Sequence, residues 1–315
     1  MRKNIIFLLF PLISLSQTQI GQDINGEVAG DWSSSGLSIS SDGNIVAIGS
    51  VGSNNFTGHV KVYQNVSGIW TQIGQKINGQ ILGEECYQIS LSSNGNIIAL
   101  GSPSSDQIFQ NSGLVRIYQN ISGVWTQIGQ NIIGEALNDY SGAGLSLSSD
   151  GNIVAIGAYG NDGNGSDSGH VRVYQNISGV WTQIGQDING EAAGDKSSGV
   201  SLSNNGNIVA IGSNYNDGNG SDSGHVRVFD LSAILTSDNF ILESFIIYPN
   251  PVSSILNITL KNNLELKNVN IYNSLGQLIK TENKTEINIS SLSKGNYFVE
   301  LITNQGKATR TIIID

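Results

Sequence analysis

Two identical decapeptides, NDGNGSDSGH at 161–170 and 216–225, gather oxygen donors more densely than any other stretch of the chain. Asp162, Asn164, Ser166 and Asp167 in the first, and Asp217, Asn219, Ser221 and Asp222 in the second, are interleaved with glycine. Carboxylate, amide and hydroxyl oxygens at alternate places on a turning loop suit a hard cation such as calcium, which takes roughly six to eight oxygen ligands. No Glu closes either loop with a bidentate grip. The same residues also make turns that need no ion, because Asn and Asp side chains bond their own backbone and tolerate left-handed geometry. Calcium is the one cofactor that the sequence raises, beside that turn reading.

The remaining reactive types are sparse. His59, His170 and His225 are the only histidines and occupy one repeated position, so they sit on separate structural units. Three such residues cannot converge on one metal at bond lengths of about 2 Å. Cys86 is the single cysteine; it follows Glu84 and Glu85, an acidic setting that discourages the thiolate. Trp70, Trp125 and Trp181 recur at the head of one repeated segment, where they either stack on sugars or pack between units; packing is favoured by the area an indole buries. Trp32, Tyr87 and Tyr140 stand in loops that enter the units and are the expected ligand contacts. No Walker loop, dinucleotide fingerprint, HExxH, GxSxG or Cys pair is present, and no catalytic residue is assigned.

These residues are positioned by a repeat. WTQIGQ occurs at 70–75, 125–130 and 181–186, and QTQIGQ at 17–22. Each unit holds four strand-like segments, here a to d; in the third unit they are 144–149, 152–158, 170–175 and 181–188. Asp42-Gly43, Asn94-Gly95, Asp150-Gly151 and Asn205-Gly206 join a to b, the strongest short signal for a hairpin because such turns need positive φ. Asn-x-Ser-Gly joins c to d. The units thus predict antiparallel meanders stacked face to face, each one blade of a β-propeller. Residues 17–24 are a d segment without its own a, b and c, and the last unit (199–230) has no d. Pairing these leftovers would close a ring of four blades, although an open stack would carry the same two ends. Serines alternating along segment a (Ser38 and Ser40, Ser90 and Ser92, Ser146 and Ser148, Ser201 and Ser203) fit a narrow central channel.

The run Gly-x-Ser-x-Ser-Leu-Ser-x-Asp-Gly-Asn-x-Val-Ala-Ile-Gly-Ala followed by Gly-His-Val-x-Val-Tyr resembles the FG-GAP class of propeller repeats over residues 17–230. That resemblance implies a binding or adhesion platform rather than an enzyme. Family members commonly carry seven units, and their calcium loop between a and b is here cut to two residues.

Beyond a connector at 231–240 the repeat vanishes. Seven alternating strands are expected at 245–251, 255–261, 269–273, 277–282, 286–290, 296–303 and 308–315, an immunoglobulin-like sandwich. Tyr248-Pro249-Asn250-Pro251, Val269-x-Ile271-Tyr272-Asn273-x-Leu275-Gly276-Gln277 and Gly295-x-Tyr297-Phe298-Val299 make the segment from about 241 to 315 similar to the type A C-terminal sorting domain of type IX secretion substrates. The resemblance implies the type IX machinery as partner and a secreted or outer-surface location in a Gram-negative bacterium. Residues 1–16, with Arg2 and Lys3 before the apolar run IIFLLFPLISLS, read as a cleaved export signal. Losing those two cations takes the formal net charge from −10 to −12, which disfavours nucleic acid as a partner.

The sequence therefore predicts an all-β chain: signal 1–16, a four-bladed β-propeller closed by its N-terminal strand over 17–230, a linker at 231–240 and a sorting domain over 241–315. The expected role is an exported, non-catalytic binding or adhesion protein with a glycan or protein ligand and no membrane span in the mature chain. A secreted polysaccharide- or protein-degrading enzyme, or a purely structural surface component, are the alternatives.

Overall fold

The computed structural model describes residues 17–52, 57–81, 83–235, 245–260, 265–274, 276–303 and 306–315; the expected signal at 1–16 and the second half of the expected linker, 236–240, lie outside them.

The first unit folds as β1 (Ser33–Ile39), β2 (Ile45–Ser50), β3 (His59–Val66) and β4 (Ile69–Gln72), paired in that order, with β5 (Ile77–Asn78) returning to the far end of β3. The second repeats it as β6 (Gln88–Leu91), β7 (Ile97–Ser102), β8 (Leu114–Ile121), β9 (Val124–Gln127) and β10 (Ile132–Ile133). The third does so as β11 (Gly144–Leu147), β12 (Ile153–Ala158), β13 (His170–Ile177), β14 (Val180–Gln183) and β15 (Ile188–Asn189). Segment d is therefore two short strands on one partner, broken where Gly74, Gly129 and Gly185 hold φ of +71 to +72°. The fourth sheet stops at three strands, β16 (Gly199–Leu202), β17 (Ile208–Ser213) and β18 (His225–Asp230), before the single turn α1 (Ser232–Leu235).

Side chains lock each hairpin. Ser40 Oγ donates to Asp42 Oδ1 at 2.6 Å and accepts from the Ile45 amide at 2.9 Å, while Asp42 Oδ1 takes the Asn44 amide at 3.0 Å. These bonds, that of Ser40 first, hold the Asp42 carboxyl down at about 2. The same staple recurs at Ser92/Asn94, Ser148/Asp150 and Ser203/Asn205.

Successive sheets stack face to face. Valines of the c strands (Val60 and Val62, Val115 and Val171, Val173) meet the a and b strands of the following sheet (Ile89, Leu91 and Ile98; Leu147, Val154 and Ile156; Val209 and Ile211) in three apolar cores. Full burial of each such aliphatic side chain is worth about 1.5–3 kcal/mol, so the stack, not the hairpin, holds the fold. The serines of segment a line no channel. Ser38, Ser90 and Ser146 each accept the amide of Leu91, Leu147 and Leu202 on the next sheet, every one at 3.0 Å. A hydroxyl is the shortest side chain that can satisfy an outward amide at a tight sheet contact.

The ring closure expected from the leftovers does not occur. Residues 17–24 form no strand, and among the described residues nothing pairs with the outer edge of β18 in the fourth sheet. A d segment has two tasks: pairing with its own c strand and gripping the tryptophan of the next sheet. Residues 17–24 perform the second within the chain, since Gln22 clasps the Trp70 backbone and Ile20 O accepts the Trp70 indole N–H at 2.8 Å. The first would need the stack to curl until sheet four met sheet one; the inner strands instead pack in a row, β1 on β6, β6 on β11 and β11 on β16.

After the connector come β19 (Phe245–Tyr248), β20 (Ile255–Leu260), β21 (Leu266–Asn273), β22 (Leu278–Glu282), β23 (Glu286–Asn288), β24 (Gly295–Thr303) and β25 (Gly306–Ile314). They form a three-stranded sheet, β19-β20-β23, and a four-stranded one, β22-β21-β24-β25. Both contribute to one core that includes Phe245, Leu256, Ile287, Val269, Val299 and Ile312. Among the described residues no helix is long and apolar enough to cross a membrane.

Candidate functional site

Each loop entering segment a is built around a carboxylate. Asp31 Oδ2 accepts the amides of Glu27 and Val28, Asp139 those of Glu135 and Ala136, and Asp195 those of Glu191 and Ala192. The next residue is forced into left-handed backbone in these three units, Trp32 at φ 47°, Tyr140 at 54° and Lys196 at 53°; in the second unit Cys86, two residues past Glu84, takes it at 48°. Non-glycine residues rarely accept that region, and strain of this kind concentrates at functional loops. It gives three units a large side chain at one equivalent place.

Tyr140 lies flat on Tyr159, at the end of β12, with ring centroids 4.7 Å apart and planes 11° from parallel. The Lys196 ammonium sits 6.0 Å from the Tyr159 ring and 5.4 Å from that of Tyr215, which follows β17. Asn111 donates to the Tyr140 hydroxyl at 3.3 Å. The result is a row, Tyr140, Tyr159, Lys196 and Tyr215, that runs from the third sheet to the fourth. Tyr159 has its hydroxyl pKa raised by burial, with Tyr140 and Asp167 adding to the effect. Trp32 and Tyr87, both exposed, belong to the first two units, so Tyr140 is the one expected contact that the row contains. The sequence reading passed over Tyr159, Lys196 and Tyr215; lysine following aspartate in the entry loop, at the place of Trp32 and Tyr140, was the available signal.

In the first acidic loop, Asp162 Oδ1 accepts the Asp167 amide at 2.9 Å, and the Asn164 amide donates to the carbonyls of Gly190 and Glu191. In the second, Asp217 Oδ1 accepts the Asp222 amide at 2.8 Å, the Asn219 amide N–H donates to Ser223 Oγ, and Ser221 Oγ donates to Asp222 at 3.4 Å. Asp162 and Asp217 are thus each engaged in closing their own loop, as an ion-free Asx turn requires. Ser166 and the Asp167 carboxylate stand exposed beside it.

Each histidine lies on its own sheet. All three have carboxylates close by: Glu27 and Asp31 with His59, and Glu135 and Asp187 with His170, the ligand-type atoms of each of these groups lying within 4.8 Å of one another, and Glu191 with His225 at 3.7 Å. Cations already serve these acids, however. Lys61 and Lys76 reach Glu27 at 2.6 and 3.0 Å and hold its carboxyl down at about 2, the Lys61 bond contributing most; Arg172 reaches Glu135 at 3.0 Å. In the second unit Glu84 takes the corresponding place, buried in a bidentate pair with Arg116 at 2.6 and 2.7 Å. The Arg or Lys of strand c is therefore an inter-sheet clamp. Cys86 is buried too, which pushes its thiol up to about 12, with Glu84 adding to the effect.

The tryptophans pack between sheets. Trp125 and Trp181 are buried, and their indole N–H groups donate to Ile73 O and Ile128 O at 3.0 and 2.9 Å; Gln75 and Gln130 clasp their backbones from the preceding unit.

Together these features define an all-β protein: a propeller-like stack of repeated meanders joined to a separate two-sheet module. Residues 246–315 match the secretion system C-terminal sorting domain, so that module is a sorting tail for type IX export and marks the chain for secretion or attachment at the outer surface. Solved structures similar to the chain include a putative TolB from Agrobacterium tumefaciens (12% identity, 88% of this chain and 79% of that one, TM-score 0.36). Kuenenia stuttgartiensis hydrazine synthase (14%, 95% and 70%, 0.42) and the periplasmic gluconolactonase PpgL of Pseudomonas aeruginosa (13%, 89% and 85%, 0.39) are others. No curated protein matches the chain.

Proposed function

We propose that this is an exported, non-catalytic binding protein that meets a glycan on the loop-bearing edge of its stacked sheets, with the sorting tail as its address. The reading rests on the Tyr140–Tyr159–Lys196–Tyr215 row: aromatic faces beside a cation, on loops held in left-handed backbone. Sugar C–H faces and ring hydroxyls suit a surface of amphipathic aromatics. Calcium at Asp162–Asp167 or Asp217–Asp222 is no part of this reading. The propeller repeats resemble the FG-GAP class, whose members serve adhesion, and the same role is proposed here.

A glycan array probed with the full exported chain tests the idea. A glycan bound by the wild type should be lost or weakened about five- to tenfold, the worth of a moderate contact, by Tyr215→Ala and by Lys196→Ala. Tyr215 is exposed and Lys196 half-buried, and unchanged tryptophan emission would show that the fold survives. Turnover of a polysaccharide by the purified chain, or glycan binding indifferent to both substitutions, would refute the proposal.

A further inference from the structure

The two ends of the sheet stack are complementary surfaces that stay exposed among the described residues. Every internal joint uses the same four contacts, and the first and fourth sheets each display one half of all four. Valines of strand c are the first. Val60 and Val62 are 0% exposed beneath the second sheet, whereas their counterparts Val226 and Val228 on the fourth are 67% and 64% exposed. On the opposite end, Ile89 and Leu91 are 8% and 9% exposed, but their counterparts Leu37 and Ile39 are 62% and 59% exposed.

The second contact is the serine bond. Ser38, Ser90 and Ser146 each accept the amide of the next sheet's Leu91, Leu147 and Leu202; Ser201 continues this series at the open end, and the Ile39 amide begins it at the other. The third is a turn-to-turn ladder, in which the amides of Ser41, Ser93 and Ser149 donate to the carbonyls of Ser93, Ser149 and Asn204, leaving the Asn204 amide and the Ser41 carbonyl as ends. The fourth is a knob in a gap. Ile45, Ile97 and Ile153 pack onto Gly95, Gly151 and Gly206, while a Cβ at Gly43 would meet nothing within 4 Å and Ile208 is 38% exposed.

The backbone edge follows the same rule. β18 lacks the d strand that β3, β8 and β13 each carry, and beside it an open recess of about 700 Å³ is lined by Gln186, Ile188, Arg227 and Phe229. Gln186 is the counterpart of Gln22, Gln75 and Gln130, each of which clasps the residue that starts the neighbouring d segment. Meanwhile residues 17–24 already grip Trp70 as a d segment should, and they have no c strand of their own.

We infer that the chain associates head to tail with a second copy of itself: the Leu37/Ile39 face of one copy seats on the Val226/Val228 face of the other, and residues 17–24 become the missing outer strand on β18. The occupant is a second copy because its surface repeats, residue type for residue type, what each sheet already receives inside the chain. The chain's own first sheet does not cover the fourth, since β1 packs face to face on β6 while Leu37, Ile39, Val226 and Val228 all stay exposed. Such a joint is heterologous; two copies close into a ring of eight sheets if the curvature suffices, within the usual four to eight blades, and otherwise the contact propagates as a filament.

The full chain, exported from its expression host, is measured by light scattering across a concentration series. A dimer or larger species is expected. Leu37→Asp and Val228→Asp, each placed on an exposed side chain, should each shift the chain to monomer without altering tryptophan emission. Mixing the two variants in equal amounts should restore a dimer, because each retains the face that the other lacks. Ile39→Cys combined with Ser201→Cys distinguishes the routes: a disulfide between chains supports the inference, whereas an intrachain disulfide shows that one copy closes on itself and overturns it. Cys86 is buried and does not compete. A wild type that stays monomeric throughout, or variants that fail to complement, would overturn it as well.

Discussion

Acid should weaken the sheet stack through His170. This imidazole is 1% exposed, and neither ring nitrogen has a hydrogen-bond partner; the Asp187 carboxylate approaches Nδ1 only to 3.6 Å. Burial is the main cause that pulls its pKa down from 6.5 to about 4, the Arg172 cation assisting and Asp187 and Asp139 opposing. The unfolded chain therefore takes up the proton first. Stability is intact above about pH 6.5, declines as pH falls through the interval, and flattens once the folded form titrates near 4. Two and a half units at 1.36 kcal/mol each give a loss of about 3 kcal/mol. The perturbation is His170→Asn, which keeps a polar side chain but cannot titrate. All four tryptophans lie between residues 32 and 181, so their fluorescence in a urea titration follows the stack and not the sorting tail. From about pH 7 to 4 the wild type should lose about 3 kcal/mol more than the variant, with the urea slope unchanged. Carboxylates lost to acid are common to both chains and cancel in the difference. Parallel curves for the two proteins would refute the reasoning.

Other consequences are equally accessible. Glu84→Ala strands the buried Arg116 guanidinium and the Gln80 amide, and should cost about 3–5 kcal/mol in urea unfolding; Glu84→Met with Arg116→Met should recover most of it. Gly206→Ala brings a methyl against Ile153 on backbone at φ +73°, and should lower stability by about 2 kcal/mol or more in the same assay. Native Cys86 should resist alkylation near pH 8, where its thiol, pushed up to about 12, stays protonated, and should react fully in denaturant. Calcium titration of the melting temperature bears on the decapeptide loops: a shift abolished by Asp167→Asn would revive an ion site, and no shift is expected from Asx turns that close themselves.

Local order was legible because it is written in short-range chemistry. Asp-Gly and Asn-Gly marked the a–b hairpins, and the Ser-x-Asp/Asn staples that fix them sit within five residues. The seven strands of the sorting tail were readable from alternation, down to boundaries a few residues wide. The packing role of Trp125 and Trp181 followed from repetition and size. The loop-entry positions of Trp32 and Tyr140 were visible as well, and Lys196 could have been found by aligning the units on their preceding aspartate.

What the sequence by itself determined is the repeat, its hairpins, the complementary leftovers at its two ends and the export tail, since each depends on residues close in the chain or on a period that counts itself. Only the tertiary structure decided the rest. Closure depends on the angle accumulated from sheet to sheet, a quantity set by many inter-sheet contacts together and by no residue singly, and here residues 17–24 grip Trp70 without reaching β18. The serines changed meaning for the same reason: a hydroxyl facing an empty channel and one facing the next sheet's amide share a sequence, and only the neighbour's position tells them apart. Tyr140, Tyr159, Lys196 and Tyr215 are brought into one row across two units by stacking, which no local pattern encodes.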